Sequence, residues 1–266
     1  MNSTHQQSEL ARSASEASKI VVRPVRAERY LNPKADTPFP LEYAFHLLGD
    51  VKDKLVLDLG CGSGEEVIPL LRRGARVIGI DLSPELIEVA KQRLQLEGLD
   101  AEVRVGSAYE TGMADSSVDV VFCMSLIHHL DISKARDEML RILRPGGVVI
   151  LKEPVRFSRS YNFVRSFLPA HEDVSSDEHP LTEDELQSFQ EGFQSEGLRF
   201  FRLPFVPLVL RSVPAATDAA FRFSNKLIAA FPHISRYATS AVVRLRKPAR
   251  SGRMSWFWTD CTEEDT

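Results

Sequence analysis

One short segment limits what this chain can fold into more than any other: Val56-Leu57-Asp58-Leu59-Gly60-Cys61-Gly62-Ser63-Gly64-Glu65-Glu66. An apolar, strand-like run ends in an aspartate, passes through glycine at every second position and leads into helix-forming sequence. Glycine accepts positive φ and lets a ligand lie against bare backbone, so the segment reads as a binding turn between a strand and a helix. The same alternation continues downstream. Residues 54–59, 75–80, 101–105, 118–124 and 148–151 read as strands, and 65–73, 84–97 and a segment capped by Asp131 read as helices. Ser83 before Pro84 pairs an N-cap with a proline at the first helical position. Behind it, Leu86, Ile87, Ala90 and Leu94 share one face. Pro145-Gly146-Gly147 reads as a turn.

Strands alternating with helices imply a parallel sheet covered on both faces. Later, Thr182-x-x-Glu185 forms a capping box. Residues 198–203 and 238–245 read as two more strands, with a Pro-punctuated apolar stretch between them. The expected fold class is α/β: a Rossmann-like, doubly wound, mostly parallel seven-stranded sheet with helices on both faces and a helical cap inserted near the C-terminus. The expected domain runs over 20–248, with insertions at about 154–181 and 205–231. A disordered tail is expected at 1–19 and a flexible one at 249–266.

Ligands of such sheets bind beyond the carboxyl ends of the strands, here Asp58, Asp81, Gly106, Ser125 and Glu153. The dinucleotide fingerprint is G-x-G-x-x-G, and Glu65 stands where its third glycine belongs. Glu65 and Glu66 would also repel a pyrophosphate from the helix N-terminus. S-adenosylmethionine has no phosphate and carries a sulfonium and an ammonium, so an acidic loop suits it. Asp81 ends the second strand, where a carboxylate can accept both ribose hydroxyls. A nicotinamide oxidoreductase is the weaker reading. A non-catalytic S-adenosylmethionine-binding module on the same fold is the other alternative.

The ordered set Asp58-x-Gly60-x-Gly62-x-Gly64, Asp81, Gly106-Ser107-Ala108, Asp119-Val120-Val121-Phe122 and Leu143-Arg144-Pro145-Gly146-Gly147 resembles class I S-adenosylmethionine-dependent methyltransferases. It is most similar to the small-molecule branch that includes ubiquinone and menaquinone biosynthesis methyltransferases, over about residues 40–152. The resemblance implies S-adenosyl-L-methionine as cofactor and S-adenosyl-L-homocysteine as product. It places Gly60, Gly62 and Gly64 against the methionine and ribose parts, Asp58 near the amino group, Asp81 on the ribose and Leu82 on the adenine. Cys61, Ala108, Met124 and Ser125 complete the expected cofactor contacts. Ser107 is a departure, because many relatives carry an acid there for the adenine amine; its hydroxyl can still accept.

The fourth strand leads into Ser125-Leu126-Ile127-His128-His129, where the acceptor should meet the methyl group. His128 and His129 are the candidate catalytic groups, since imidazole titrates near neutrality. The D/N-P-P-Y/F tetrad of base-directed methylases is absent. A net charge of −4 disfavours a nucleic-acid binder. Three dispersed cysteines offer neither a disulfide framework nor zinc spacing, and no metal is expected. With no signal peptide and no apolar run long enough for a bilayer, the expected location is the cytoplasm. Residues 205–231 carry many apolar and aromatic side chains, which points to a small apolar acceptor. The basic run at 244–253 leaves peripheral membrane contact open.

Overall fold

The computed structural model describes residues 3–157 and 179–249. Seven strands form one sheet: β1 (Leu55–Leu59), β2 (Arg76–Asp81), β3 (Glu102–Val105), β4 (Val118–Met124), β5 (Leu143–Pro154), β6 (Gln194–Phe201) and β7 (Ser240–Arg246). Their spatial order is β3-β2-β1-β4-β5-β7-β6. β1 to β5 run parallel, and β7 pairs antiparallel with both β5 and β6. The strand order reverses at β1 and β4, so their carboxyl ends frame the crevice where a ligand fits.

The strands alternate their side chains between two cores. Val56, Val77, Val120, Phe122 and Ile150 face α3 (Pro40–Leu48), α4 (Val67–Arg72) and α5 (Pro84–Glu97). Leu57, Leu59, Val121, Cys123 and Leu151 face α6 (Ile132–Ile142) and α7 (Glu183–Gln190). The caps fall where their residue types predict. Ser83 accepts from the Leu86 amide, Asp131 from the Lys134 amide, and Thr182 and Glu185 close a reciprocal box.

Four expectations need correction. Residues 3–17, expected to be disordered, form helix α1 (Ser3–Ala17), whose Ala17 is buried with Leu86 and Val89 of α5. The polar composition concealed a small docking face. The helix expected over 65–73 is confined to Val67–Arg72, because Glu65 and Glu66 stay in the turn. Pro145-Gly146-Gly147 lies inside β5, which begins at Leu143 opposite Val118 and resumes its pairing at Val148 after a register shift. The late strands are displaced, to Gln194–Phe201 and Ser240–Arg246, because their pairing with each other decides their ends.

Helix α2 (Glu28–Leu31) precedes α3. The cap between β6 and β7 consists of α8 (Phe205–Ser212) and α9 (Thr217–Ala230). It leaves the sheet at Phe201 and returns at Ser240, which pairs with Pro154 at the carboxyl end of β5. The cap therefore stands at the end of the sheet that carries the glycine loop. Most of the insertion at 154–181 lies outside the described residues, as does the C-terminal tail from residue 250. The ends of that insertion are pinned together, with Leu181 donating to the Pro154 carbonyl and Arg156 donating to the Leu181 carbonyl.

Candidate active site

The glycine loop is shaped by its own hydrogen bonds. The Gly60 and Cys61 amides both donate to the Ile80 carbonyl, at 2.8 and 3.0 Å, and the Gly62 amide donates to Asp81 Oδ2 at 2.9 Å. The first amides of the turn are thus spent inside the protein, and a phosphate placed there would find carboxylates instead. Gly60 has φ +76°, and a Cβ on it would meet Leu126 at 2.9 Å. Gly62 has φ +49° and open space where a Cβ would point, which leaves room for a ligand. Gly64 serves packing: a Cβ there would meet Ala90 of α5 at 3.0 Å.

Acids dominate the loop. Asp58 is buried, and its Oδ2 has no hydrogen-bond partner. Burial, with Glu66 and Asp81 nearby, holds its carboxyl well above the usual carboxylate range. Burial also raises Glu66, although Lys152 opposes the shift, and it raises Asp81 against the stabilising amides of Ser83, Gly62 and Leu82. Clustered, under-compensated carboxylates suit a cationic ligand. An orphaned buried oxygen at Asp58 is what a primary ammonium would satisfy, so the residues present fit the aminoacyl end of S-adenosylmethionine.

A cavity of about 250 Å³ opens beside the loop. Its wall includes Gly60, Asp81, Leu82, Ser107, Ala108 and Ser125, all expected cofactor contacts. Asp81 Oδ1 accepts from the Ser83 amide, and each carboxylate oxygen keeps a lone pair for a ribose hydroxyl. Ser107 Oγ accepts from the Tyr109 amide at 3.1 Å. Cys61, Gly62, Gly64, Asp58 and Met124 do not line this cavity; Cys61 is buried beneath the loop, and Met124 packs on the α3 side of the sheet. A second concavity, of about 340 Å³, reaches Glu65, Glu66, Tyr30 and Arg93 from the N-terminal side.

The two histidines part company. His129 lines the cavity next to Ser125 and Leu126. His128 is buried, with Nδ1 2.7 Å from Glu153 Oε2. Glu153 Oε1 also accepts from the Leu126 and Ile127 amides, each at 2.9 Å. His128 and Glu153 thus brace the turn that presents His129, and of the two expected catalytic histidines His128 is not among the residues lining the cavity. The turn starts from Ser125 at φ +58°, a left-handed conformation uncommon outside glycine. Lys152 Nζ holds the Ser125 hydroxyl at 2.7 Å, and burial lowers the lysine's pKa.

Arg93 of α5 was not anticipated. It is buried, and its Nε donates to the Ser63 carbonyl at 2.8 Å while Nη1 donates to the Arg23 carbonyl at 3.1 Å. One side chain ties the glycine loop to the N-terminal segment. The signal was present, since Arg93 follows Leu86 and Ala90 at helical spacing on the apolar face.

With this geometry in hand, likeness to known proteins becomes decisive. Residues 57–151 match the sequence profile of the family described as "Methyltransferase domain". The chain carries a methyltransferase domain. The cofactor of such a domain is S-adenosylmethionine, and the nicotinamide reading falls away. A ubiquinone biosynthesis O-methyltransferase from Alkalilimnicola ehrlichii is 33% identical over 150 residues, covering 52% of this chain and 59% of that protein. The match thus spans less than two thirds of that relative. An uncharacterized protein of Mycobacterium tuberculosis is 28% identical over 193 residues, 70% of this chain and 69% of its own. Geranyl diphosphate C-methyltransferase from Streptomyces coelicolor A3(2), solved with Mg2+, geranyl diphosphate and S-adenosyl-L-homocysteine, superposes with a TM-score of 0.59 at 16% identity, over 91% of this chain and 98% of that one. The [4+2]-cyclase SpnF superposes at 0.58 and 17% identity, over 92% and 96%. These structural likenesses establish the fold of the methyltransferase domain and its surroundings, and the cyclase illustrates that a fold alone does not decide a reaction.

Among the described residues, no helix is long and apolar enough to cross a membrane.

Proposed function

We propose that the protein transfers a methyl group from S-adenosylmethionine to a small acceptor with a large apolar body. The observation that carries the cofactor half is the partnerless buried Oδ2 of Asp58, with the raised carboxyls of Glu66 and Asp81 nearby, on the strand that enters the glycine loop. S-adenosylmethionine, when bound, supplies a methyl group already activated on a sulfonium. The chain's share is then to hold, orient and exclude water. Asp58 and Glu66 receive the ammonium, Asp81 the ribose hydroxyls, and Leu82 the adenine face. Ser107 and Ala108 lie along the adenine edge. His129 orients the acceptor or takes its proton, while His128 and Glu153 fix the turn beneath it.

The acceptor half rests on the cap. Phe205 and Phe223 sit 5.9 Å apart on α8 and α9, and Phe223 and Phe231 are exposed at the end of the sheet that bears the cavity. Such a surface favours a lipid, quinone or polyketide over a sugar or nucleotide. Buried free thiols at Cys61 and Cys123 support a cytoplasmic setting. Calorimetry with S-adenosylhomocysteine and NAD tests the cofactor, with binding expected for the first alone. A screen with labelled cofactor against matched apolar and polar acceptors tests the rest. Turnover confined to polar acceptors would overturn the apolar assignment, and cofactor binding with no turnover on any acceptor would favour a non-catalytic module.

A further inference from the structure

The cavity wall has a component that belongs to none of the sheet motifs. Leu10, Arg12, Ser13 and Glu16 of α1 line it opposite Leu82, Leu86, Ser107 and Ala108. Leu10, Ser13 and Ala17 follow each other at helical spacing, and Ala17 is buried against Leu86 and Val89, with Ile20 and Val22 extending the contact. The helix is therefore docked on α5 through Ala17 near its C-terminal end, while Leu10, Arg12, Ser13 and Glu16 line the cavity. A 15-residue polar helix is marginal by itself in water, so its order depends on what it covers.

Adenine presents an exocyclic amine that donates and a ring edge that accepts. A binding wall that distinguishes it needs an acceptor for that amine. On the sheet side, the Ser107 hydroxyl accepts one bond from the Tyr109 amide and offers no charge, and Asp81 sits at the ribose end, bonded to Gly62 and Ser83. The cavity wall holds two carboxylates, Asp81 and Glu16. We infer that α1 closes the adenine end of the cofactor cavity and that Glu16 accepts the adenine amine, making it a specificity-determining residue for the cofactor. The inference rests on the reading of this cavity as the S-adenosylmethionine site.

The full chain and its Glu16→Gln variant are titrated by calorimetry with S-adenosylhomocysteine and with S-inosylhomocysteine, in which a carbonyl replaces the amine. A carboxylate repels that carbonyl, whereas a glutamine amide can donate to it. The wild type should prefer the adenosyl ligand at least about tenfold, as expected for a charged hydrogen bond. In Glu16→Gln the preference should shrink to within roughly twofold, with unchanged circular dichroism. Equal weakening of both ligands would reduce Glu16 to packing and overturn the inference, as would an unchanged preference. As an independent readout, S-adenosylhomocysteine should slow amide hydrogen exchange across residues 10–17. Exchange there that ignores the ligand would overturn the closing role of α1. Binding of neither ligand by the wild type would instead sink the cofactor reading itself, and it is seen before any variant is made.

Discussion

Asp58→Asn should stabilise the ligand-free protein while weakening its cofactor binding. Asp58 lies one residue before the end of β1 inside the sheet, its Oδ2 lacks a partner, and burial beside Glu66 and Asp81 raises its pKa well above the ordinary value. Leaving a buried polar group unsatisfied costs about 1–3 kcal/mol, more when it is charged. Because the folded pKa lies above the unfolded one, the folded state binds the proton more tightly between the two values. Stability therefore falls as pH rises from about 4, the unfolded carboxylate value, through the raised folded value. Asparagine carries no charge across that window. Near pH 4 the two proteins should melt together, and at pH 8 the variant should melt several degrees higher, at roughly 2–4 °C per kcal/mol for a chain near this size. Glu66 and Asp81 are raised as well, so the pH slope should shrink rather than vanish. Binding moves the other way. Loss of a charged hydrogen bond worth about 1.5–3 kcal/mol should weaken S-adenosylhomocysteine by roughly 10- to 150-fold. Scanning calorimetry from pH 4 to 8, with titration calorimetry at pH 7.5, measures both. A variant that is less stable at every pH, or that binds like the wild type, would refute the assignment of Asp58 as the ammonium's partner.

Other substitutions separate binding from bracing. Gly60→Ala forces a side chain to φ +76° and against Leu126 at 2.9 Å, so it should cost about 1–3 kcal/mol and lower the melting temperature together with cofactor affinity. Asp81→Ala should weaken S-adenosylhomocysteine at least about tenfold in calorimetry while circular dichroism stays native, and unchanged affinity would show the ribose held elsewhere. His128→Ala leaves Glu153 without one hydrogen-bond partner beside a void and should destabilise by about 1–3 kcal/mol in urea unfolding. His129→Ala should cost less than His128→Ala in that measurement and reduce turnover once an acceptor is in hand.

What was legible in the sequence, and what was not, divides along physical lines. Asp58, Asp81 and Ser125 could be placed because a buried parallel strand declares itself as an apolar run and its last residue marks the ligand side. The glycine spacing was informative because Glu65 broke the dinucleotide pattern. Helix α1 escaped because Leu10 and Ala17 are too few to produce a visible apolar stripe; its order comes from a tertiary contact with Leu86 and Val89. The start of β5 escaped because Pro145-Gly146-Gly147 carries turn chemistry, yet the bulge it forms still lies along β4. The partition of His128 from His129 escaped because both follow one strand, and only the carboxylate at the end of β5 decides which of them turns inward.

The cofactor contacts expected from the strand ends lie between residues 58 and 125, so acceptor choice is expected from chain on either side of them. The fold brings those two sides together. Phe39, just before α3, packs at a tilt against Phe221 of α9 with ring centroids 5.1 Å apart, and Asn225 donates to the Thr37 carbonyl at 3.3 Å. Leu203 donates to Ser224 inside the cap, and Arg199 of β6 donates to the Ala35 carbonyl at 2.7 Å. N-terminal and C-terminal segments are thereby locked to each other above the carboxyl ends of the strands, while Arg93 locks the N-terminal segment to the glycine loop. If Arg93 couples the two, occupation of the loop should slow amide exchange in residues 21–30 as well as in the loop itself. We predict that an acceptor site assembled this way is stiffened by the cofactor and fills second; initial-rate kinetics with product inhibition should show the cofactor binding first, and a random order would refute the coupling.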